Sequence, residues 1–153
     1  MEQEFREDRL RLVDRIPLLR NLDPAARQVV AHAIRTRNLE RGAQLHHQGD
    51  RATALHYLVS GQIARALTSS DGDEKIVEIV LPGEMVGLAE VFTSRGMPCR
   101  AEAVEPSTLI EIDKSAIDRA MELDPRLARH IIADLSNRNA AMVRDFAASH
   151  FHS

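Results

Sequence analysis

At 153 residues the chain is long enough for one domain with a real core, and 44% hydrophobic against 28% charged residues describe a globular protein. A net charge of −3 leaves no electrostatic footprint for direct nucleic-acid binding, and no Trp with a single Tyr leaves almost no platform for stacked bases. The lone Cys99 excludes a disulfide framework and a multi-cysteine zinc or iron–sulfur site within the chain.

The N-terminus, MEQEFREDRL, is too charged for a secretory signal, and no apolar run reaches membrane-spanning length, so a reducing cytoplasm is the expected compartment. Phe5, Arg9, Leu12, Val13 and Ile16 fall at helical spacing until Pro17 ends the pattern. Asp23-Pro24 then supplies an N-cap and a proline at the first helical position, followed by the stripe Val29, Val30, Ala33 and Ile34. Two short surface helices are predicted within 1–34.

From 35 to 113 the period changes. Gly42, Gly49, Gly61, Gly72 and Gly83 punctuate short apolar segments, and 55–59, 63–67, 76–81 and 109–112 have strand length. Asp71-Gly72 is a hairpin signal. Evenly spaced short strands of this kind predict an antiparallel jelly-roll-like barrel. Within it, 82–100 reads as a cassette: a Pro82-Gly83 turn, an apolar piece broken at Gly87, one helical turn through Ala89, Glu90 and Phe92, and a loop through Gly96 and Pro98. Backbone N–H groups at a helix start beside a glycine make a small-molecule or anion pocket.

Residues 114–153 return to helix. Ser115 with Asp118 forms a capping-box pattern that turns Ile117 and Met121 inward. Asp124-Pro125 opens a long helix, 125–153, on which Leu127, Ile131, Leu135, Met142 and Phe146 recur every three or four residues. That is more apolar face than one small barrel needs, and Arg138 with Asn139 interrupts it as a register-fixing polar step does in paired helices. Leu127, Ile131, Leu135, Arg138, Met142 and Phe146 are therefore the expected homodimer seam. Because the pattern stops at Ser153 without a cap, the chain is expected to be a fragment of something longer.

Two short helices, a glycine-punctuated barrel, a cassette and a long helix, in that order, resemble the cyclic-nucleotide-binding fold. More narrowly they resemble the sensor domain of the CRP/FNR superfamily of bacterial transcription regulators. The resemblance runs from Ile16 to about Asp145 and rests on PLLRNLD, on Gln48-Gly49-Asp50, on LHYLVSGQIA and on DGDEKIVEIVLPGEMVG. It implies a cytoplasmic homodimer that senses a small-molecule or gas effector. DNA would be bound only through a helix-turn-helix domain absent from this chain, so the chain alone should not bind a promoter.

The resemblance also implies an effector pocket formed by Val86, Gly87, Leu88, Ala89, Glu90, Val91, Met97, Pro98, Cys99 and Arg100, facing Met142 and Val143 of the long helix. Members that bind cyclic AMP carry Gly-Glu-Leu in the cassette, whose Glu holds the ribose, and then an Arg-Ser pair for the phosphate. Here Gly87-Leu88-Ala89 replaces the first, Met97-Pro98 or Pro98-Cys99 replaces the second, and Arg100 and Glu90 are displaced along the chain. Met142 and Val143 align with the adenine contacts. Cyclic AMP is therefore not the expected ligand, and the alternative is a cyclic-nucleotide module using Arg100 after a loop shift. The chain looks most like the branch that responds to nitrate respiration and nitric oxide, for which haem is the implied cofactor. Haem would suit an apolar slot of Leu88, Val91, Met97, Met142 and Val143 with an axial His.

None of the seven histidines shows metal spacing. His46-His47 falls at a strand end, His56 on a strand, His32 and His130 on helices, His150 and His152 near the end, and each is expected to face solvent or to be hydrogen-bonded. No nucleophile motif or phosphate loop occurs, so the chain is not expected to be an enzyme. A cupin-like metal enzyme, the enzymatic runner-up, would need two or three His and a Glu converging in the barrel.

Overall fold

A computed structural model describes residues 2–151; Met1, and the helix end expected at His152 and Ser153, lie outside the described residues. Helices α1 (Glu2–Arg15) and α2 (Pro24–His32) flank a 3₁₀ turn at Pro17–Leu19. Next come β1 (Ile34–Leu39), β2 (Gln44–His46), β3 (Ala54–Thr68), β4 (Glu74–Val80) and β5 (Met85–Val86). A 3₁₀ turn at Glu90–Phe92, β6 (Arg100–Asp113), α3 (Lys114–Leu123) and α4 (Arg126–Phe151) complete the chain. Among the described residues no helix is long and apolar enough to cross a membrane.

All strand pairings are antiparallel, in the order β1-β6-β3-β4, with β2 also on β6 and β5 also on β3. Two long strands, β3 and β6, form the spine, and each carries two shorter strands end to end along its outer edge. The hydrogen-bonded sheet does not close on itself, so the expected barrel is an open sheet. The predicted segments 55–59 and 63–67 are one strand, β3, whose register against β6 shifts three times between Leu58 and Ile63. Such breaks bend a strand without ending it. Gly61 sits at this bend with φ +96°, and a Cβ there would lie 2.6 Å from the Pro106 carbonyl oxygen. Only glycine fits. The Asp71-Gly72 hairpin forms as expected: Ser69 N–H donates to the Asp73 carbonyl at 2.8 Å, and Gly72 has φ +87°.

Two local expectations fail for physical reasons. Ile34 opens β1 rather than closing α2, because its partner across the sheet is Ile112 and both are buried. The Ser115–Asp118 capping box does not form. Helix α3 starts one residue earlier, at Lys114, whose ammonium takes the Asp118 carboxylate at 2.8 Å. The start of α4 does follow the cap rule, with Asp124 Oδ1 accepting the Arg126 N–H at 3.2 Å.

Strand alternation divides the core in two. One cluster joins the helices to one sheet face: Val13, Ile16, Ile34, Leu55, Ile110, Ile112, Ile117, Leu127 and Ile131, together with Met85, Leu88, Val91 and Met97 of the cassette. The other lines the opposite face with Leu39, Leu45, Leu58, Ile63, Val80, Val86, Ala101, Ala103 and Leu109. Burying each larger side chain contributes about 1.5–3 kcal/mol.

Candidate functional site

The cassette leaves β5 through Gly87, whose φ of +70° turns the chain into the Glu90–Phe92 turn. Its return loop is stitched to the β2–β3 connection: Gly49 N–H donates to the Met97 carbonyl at 2.8 Å and Met97 N–H to the Asp50 carbonyl at 2.7 Å. Of the expected pocket residues, Val86, Gly87, Leu88, Val91, Met97 and Cys99 are buried, and Glu90 is half-buried. Ala89 and Pro98 are exposed. Arg100 is turned away. It alternates with buried Ala101 along β6 and is held by Glu74 at 2.8 Å and Glu102 at 3.6 Å, so it does not reach the interior.

Helix α4 splits the expected dimer seam. Leu127 and Ile131 lie inside the protomer's own core at 0% and 4% exposure, leaving no surface for a partner, and Leu135 packs against the same cluster. The reason is that the first turns of α4 are the lid of the first cluster. Arg138 is held within the protomer, donating to the Met85 carbonyl at 3.3 Å and pairing with Asp134. Met142, Val143 and Phe146 are 70%, 60% and 61% exposed, so Met142 and Val143 do not close the pocket.

A different constellation occupies the sheet's inner face. His46 and Arg65 are both in register with Ala101, one from each side, and Arg65 is in turn opposite Glu78. Residues directly opposite share a face, so His46, Ala101, Arg65 and Glu78 form one row across β2, β6, β3 and β4. A bulge between Gln44 and His46 lets both Leu45 and His46 point inward. The buried Arg65 guanidinium meets Glu90 at 2.7 Å and Glu78 at 3.1 Å, tying the cassette to the sheet. Burial alone would lower the Arg65 pKa; the Glu90 hydrogen bond and the two carboxylate charges reverse this and raise it. Burial pushes the nearby Cys99 thiol up. For His46, burial first, then the charges of Arg65 and His56, lower the pKa and favour the neutral ring.

Beside this row a second polar line crosses β1, β6 and β3, where Glu111 is opposite both Arg35 and His56. The Glu111 carboxylate takes the His56 ring at 2.7 Å, the Arg35 Nε, and Arg37 at 3.3 Å. The His56 hydrogen bond, with the Arg35 charge, lowers its pKa to about 2 against the opposing effect of burial. A cavity of about 140 Å³ opens here, lined by Arg37, Leu45, His46, Asp50, Arg51, Thr53, Ala54, His56, Met97 and Glu111.

From the sequence His46 is expected to face solvent or to be hydrogen-bonded, and no motif marks Arg65. His46 is in fact buried, with neither ring nitrogen in a well-formed hydrogen bond among the described residues. Arg65 was findable, because it follows Ile63 at strand period within an inward-facing run. His46, His56 and Glu111 do converge as the cupin reading required, but the described residues hold no group able to bind a metal ion. The apolar slot expected for haem is not assembled: Leu88, Val91 and Met97 lie in the core while Met142 and Val143 are exposed on α4.

The open antiparallel sheet with its cassette and long C-terminal helix has a counterpart among known domains: a family model for the cyclic nucleotide-binding domain matches residues 36–124. The transcriptional activator protein FnrA of Stutzerimonas stutzeri is 31% identical over 102 residues, 67% of this chain and 41% of the relative. The fumarate and nitrate reduction regulatory protein of Vibrio cholerae is 30% identical over 103 residues, again 67% and 41%. The crystal structure of the sensor domain of the transcriptional regulator DNR from Pseudomonas aeruginosa aligns with a TM-score of 0.77 at 28% identity, covering 92% of this chain and 95% of that one. The chain belongs to the cyclic nucleotide-binding domain family, in the CRP/FNR superfamily of transcription regulators. It spans about two fifths of the length of the curated relatives named here.

Proposed function

We propose that this domain is the effector-sensing part of a CRP/FNR-type transcription factor, in which a ligand held between the sheet and the cassette resets the angle of α4. The observation that carries the reading is the shared core. Leu88, Val91 and Met97 of the cassette and Leu127 and Ile131 of α4 belong to one packed cluster, and that continuous core is the route by which a shift of the cassette would reach the foot of the helix. Beyond that foot, Ile132, Met142, Val143 and Phe146 are exposed and give α4 a face to pair with a second copy. The dimer seam thus begins further along the helix than the sequence pattern placed it. DNA is contacted by chain outside these 153 residues, its spacing set by the crossing of the two α4 helices.

Sedimentation velocity tests the coupling element. The wild-type chain should sediment as a dimer with a melting temperature that rises with concentration, and Met142→Glu with Val143→Glu should give folded monomers whose melting temperature does not. A dimer that survives both substitutions removes α4 as the seam.

A further inference from the structure

Helix α4 turns three faces to three different surroundings. Leu127, Ile131 and Leu135 look into the core, and Ile132, Val143 and Phe146 stand exposed on another side. His130, Ala133, Asp134, Asn137 and Arg138 recur at i, i+3, i+4, i+7 and i+8, so they form a third face, about half a turn from the exposed apolar one. This third face is one wall of a cleft of about 290 Å³. The opposite wall is apolar: Ile16, Pro17 and Leu18 at the 3₁₀ turn, with Tyr57 of β3 and Met85 of β5. All of the cleft's charge is therefore on the helix side. None of the effector-pocket residues implied by the family resemblance lines it.

The Arg138 guanidinium is held loosely. Its Nη1 donates to the Met85 carbonyl and its Nε approaches the Asp134 carboxylate, both at 3.3 Å, where a well-formed charge-assisted bond is roughly 2.7–2.9 Å. With 34% and 41% of the Arg138 and Asp134 side chains exposed, such an i, i+4 pair contributes little and is readily exchanged for a better partner. We propose that this cleft binds a small apolar amino acid as its zwitterion. The carboxylate takes the Arg138 fork, the ammonium takes Asp134 and the Asn137 side-chain oxygen, and the side chain lies on Ile16, Pro17, Leu18 and Met85. Charge balance selects this class. A carboxylate alone meets Asp134 beside Arg138, an amine alone meets Arg138 beside Asp134, and an uncharged ligand leaves the polar wall without partners. The cleft lies at the lower limit of the roughly 300–1,000 Å³ usual for ligand sites, which suits a molecule of about ten heavy atoms.

Met85 gives the site a consequence. It begins the short strand that leads into the cassette and lies in the same core cluster as Leu88 and Val91. A ligand that draws Arg138 off the Met85 carbonyl therefore removes a bond between α4 and the stem of the cassette. That step rests on the sensing role proposed above, and the binding site does not. Because the third face of α4 points away from Ile132, Val143 and Phe146, pairing of two copies through those residues leaves the cleft open.

The test is a ¹⁵N NMR titration of the whole chain with L-leucine and with three probes that each lack one part of it. These are 4-methylpentanoate without the ammonium, 3-methylbutylamine without the carboxylate, and glycine without the side chain. Leucine should give saturable shifts at the Arg138 Nε–H and at the Met85 and Asp134 amides, with each of the other probes weaker by about tenfold or more. The test variants are Arg138→Gln and Ala133→Phe, at half-exposed and exposed positions, so each should melt within about 2 °C of wild type. Each should weaken leucine by about tenfold or more, the first by removing the carboxylate's partner and the second by filling the cleft. No saturation by about 20 mM leucine overturns the site, as do shifts that persist in both variants. Any of the three probes binding as tightly as leucine overturns the assigned class of ligand. If the cleft responds while the amides of Gly87 to Val91 do not, the site stands and its link to sensing falls.

Discussion

Gly61 and Glu111 show how much of this fold rests on single residues. A side chain at Gly61 would have to adopt φ +96° and place its Cβ 2.6 Å from the Pro106 carbonyl, where β3 crosses β6 at its register breaks. Gly61→Ala should therefore cost about 3 kcal/mol, the sum of backbone strain and overpacking, read as a lower urea midpoint at an unchanged slope. Glu111 is a different case. Its pKa is lowered to about 2 by the His56 hydrogen bond and the Arg35 charge, against an ordinary value of 4.5. A depressed carboxylate stabilises the fold above its unfolded pKa and loses that contribution as pH falls through the folded one. On the order of 3 kcal/mol should thus disappear between about pH 5 and pH 2. In Glu111→Gln that part of the acid-side slope should be absent. Equal slopes for the two proteins would show that the carboxylate is solvated in the native state.

At the scale of elements, α4 does two jobs with one apolar stripe. Its foot is core: Leu127, 0% exposed, lies in the larger buried cluster, so Leu127→Ala should cost about 2–5 kcal/mol in a thermal or urea melt. Met142→Ala, 70% exposed, should change that melt by no more than about 0.5 kcal/mol in the monomer. The sequence pattern showed the stripe but not the division, because helical spacing reports which residues share a face and not what covers it. The same limit explains the rest. The order of helices, strands, hairpin and cassette was legible from periodicity, glycines and capping residues, since those signals are local. Strands β1 and β2 were not, being short and polar and held only by β6. Nor was the inner polar row. Whether Arg65 meets Glu78 or Glu90 depends on register and on the cassette turn, and His46 points inward because of one bulge.

For the whole molecule, the question is whether a domain with this fold can still take a cyclic nucleotide. The resemblance places the ribose contact at Leu88, which is 1% exposed in the core, and the phosphate contact at Met97-Pro98 or Pro98-Cys99, none of which carries a charge. Arg100, the nearest cation in sequence, faces outward into Glu74 and Glu102. Arg65 is inside but committed to Glu90 and Glu78, and the cavity of about 140 Å³ is too small for a nucleotide. A phosphate without its guanidinium in a desolvated site forfeits several kcal/mol. A micromolar ligand binds with only about 8 kcal/mol, so that loss alone moves the affinity by orders of magnitude. Calorimetry with cyclic AMP and with cyclic GMP should therefore give no dissociation constant below about 10 μM. A tighter value would mean that Glu90 releases Arg65 to the phosphate or that the loop before β6 turns Arg100 inward. Arg100→Gln separates the two, because it abolishes such binding only in the second case.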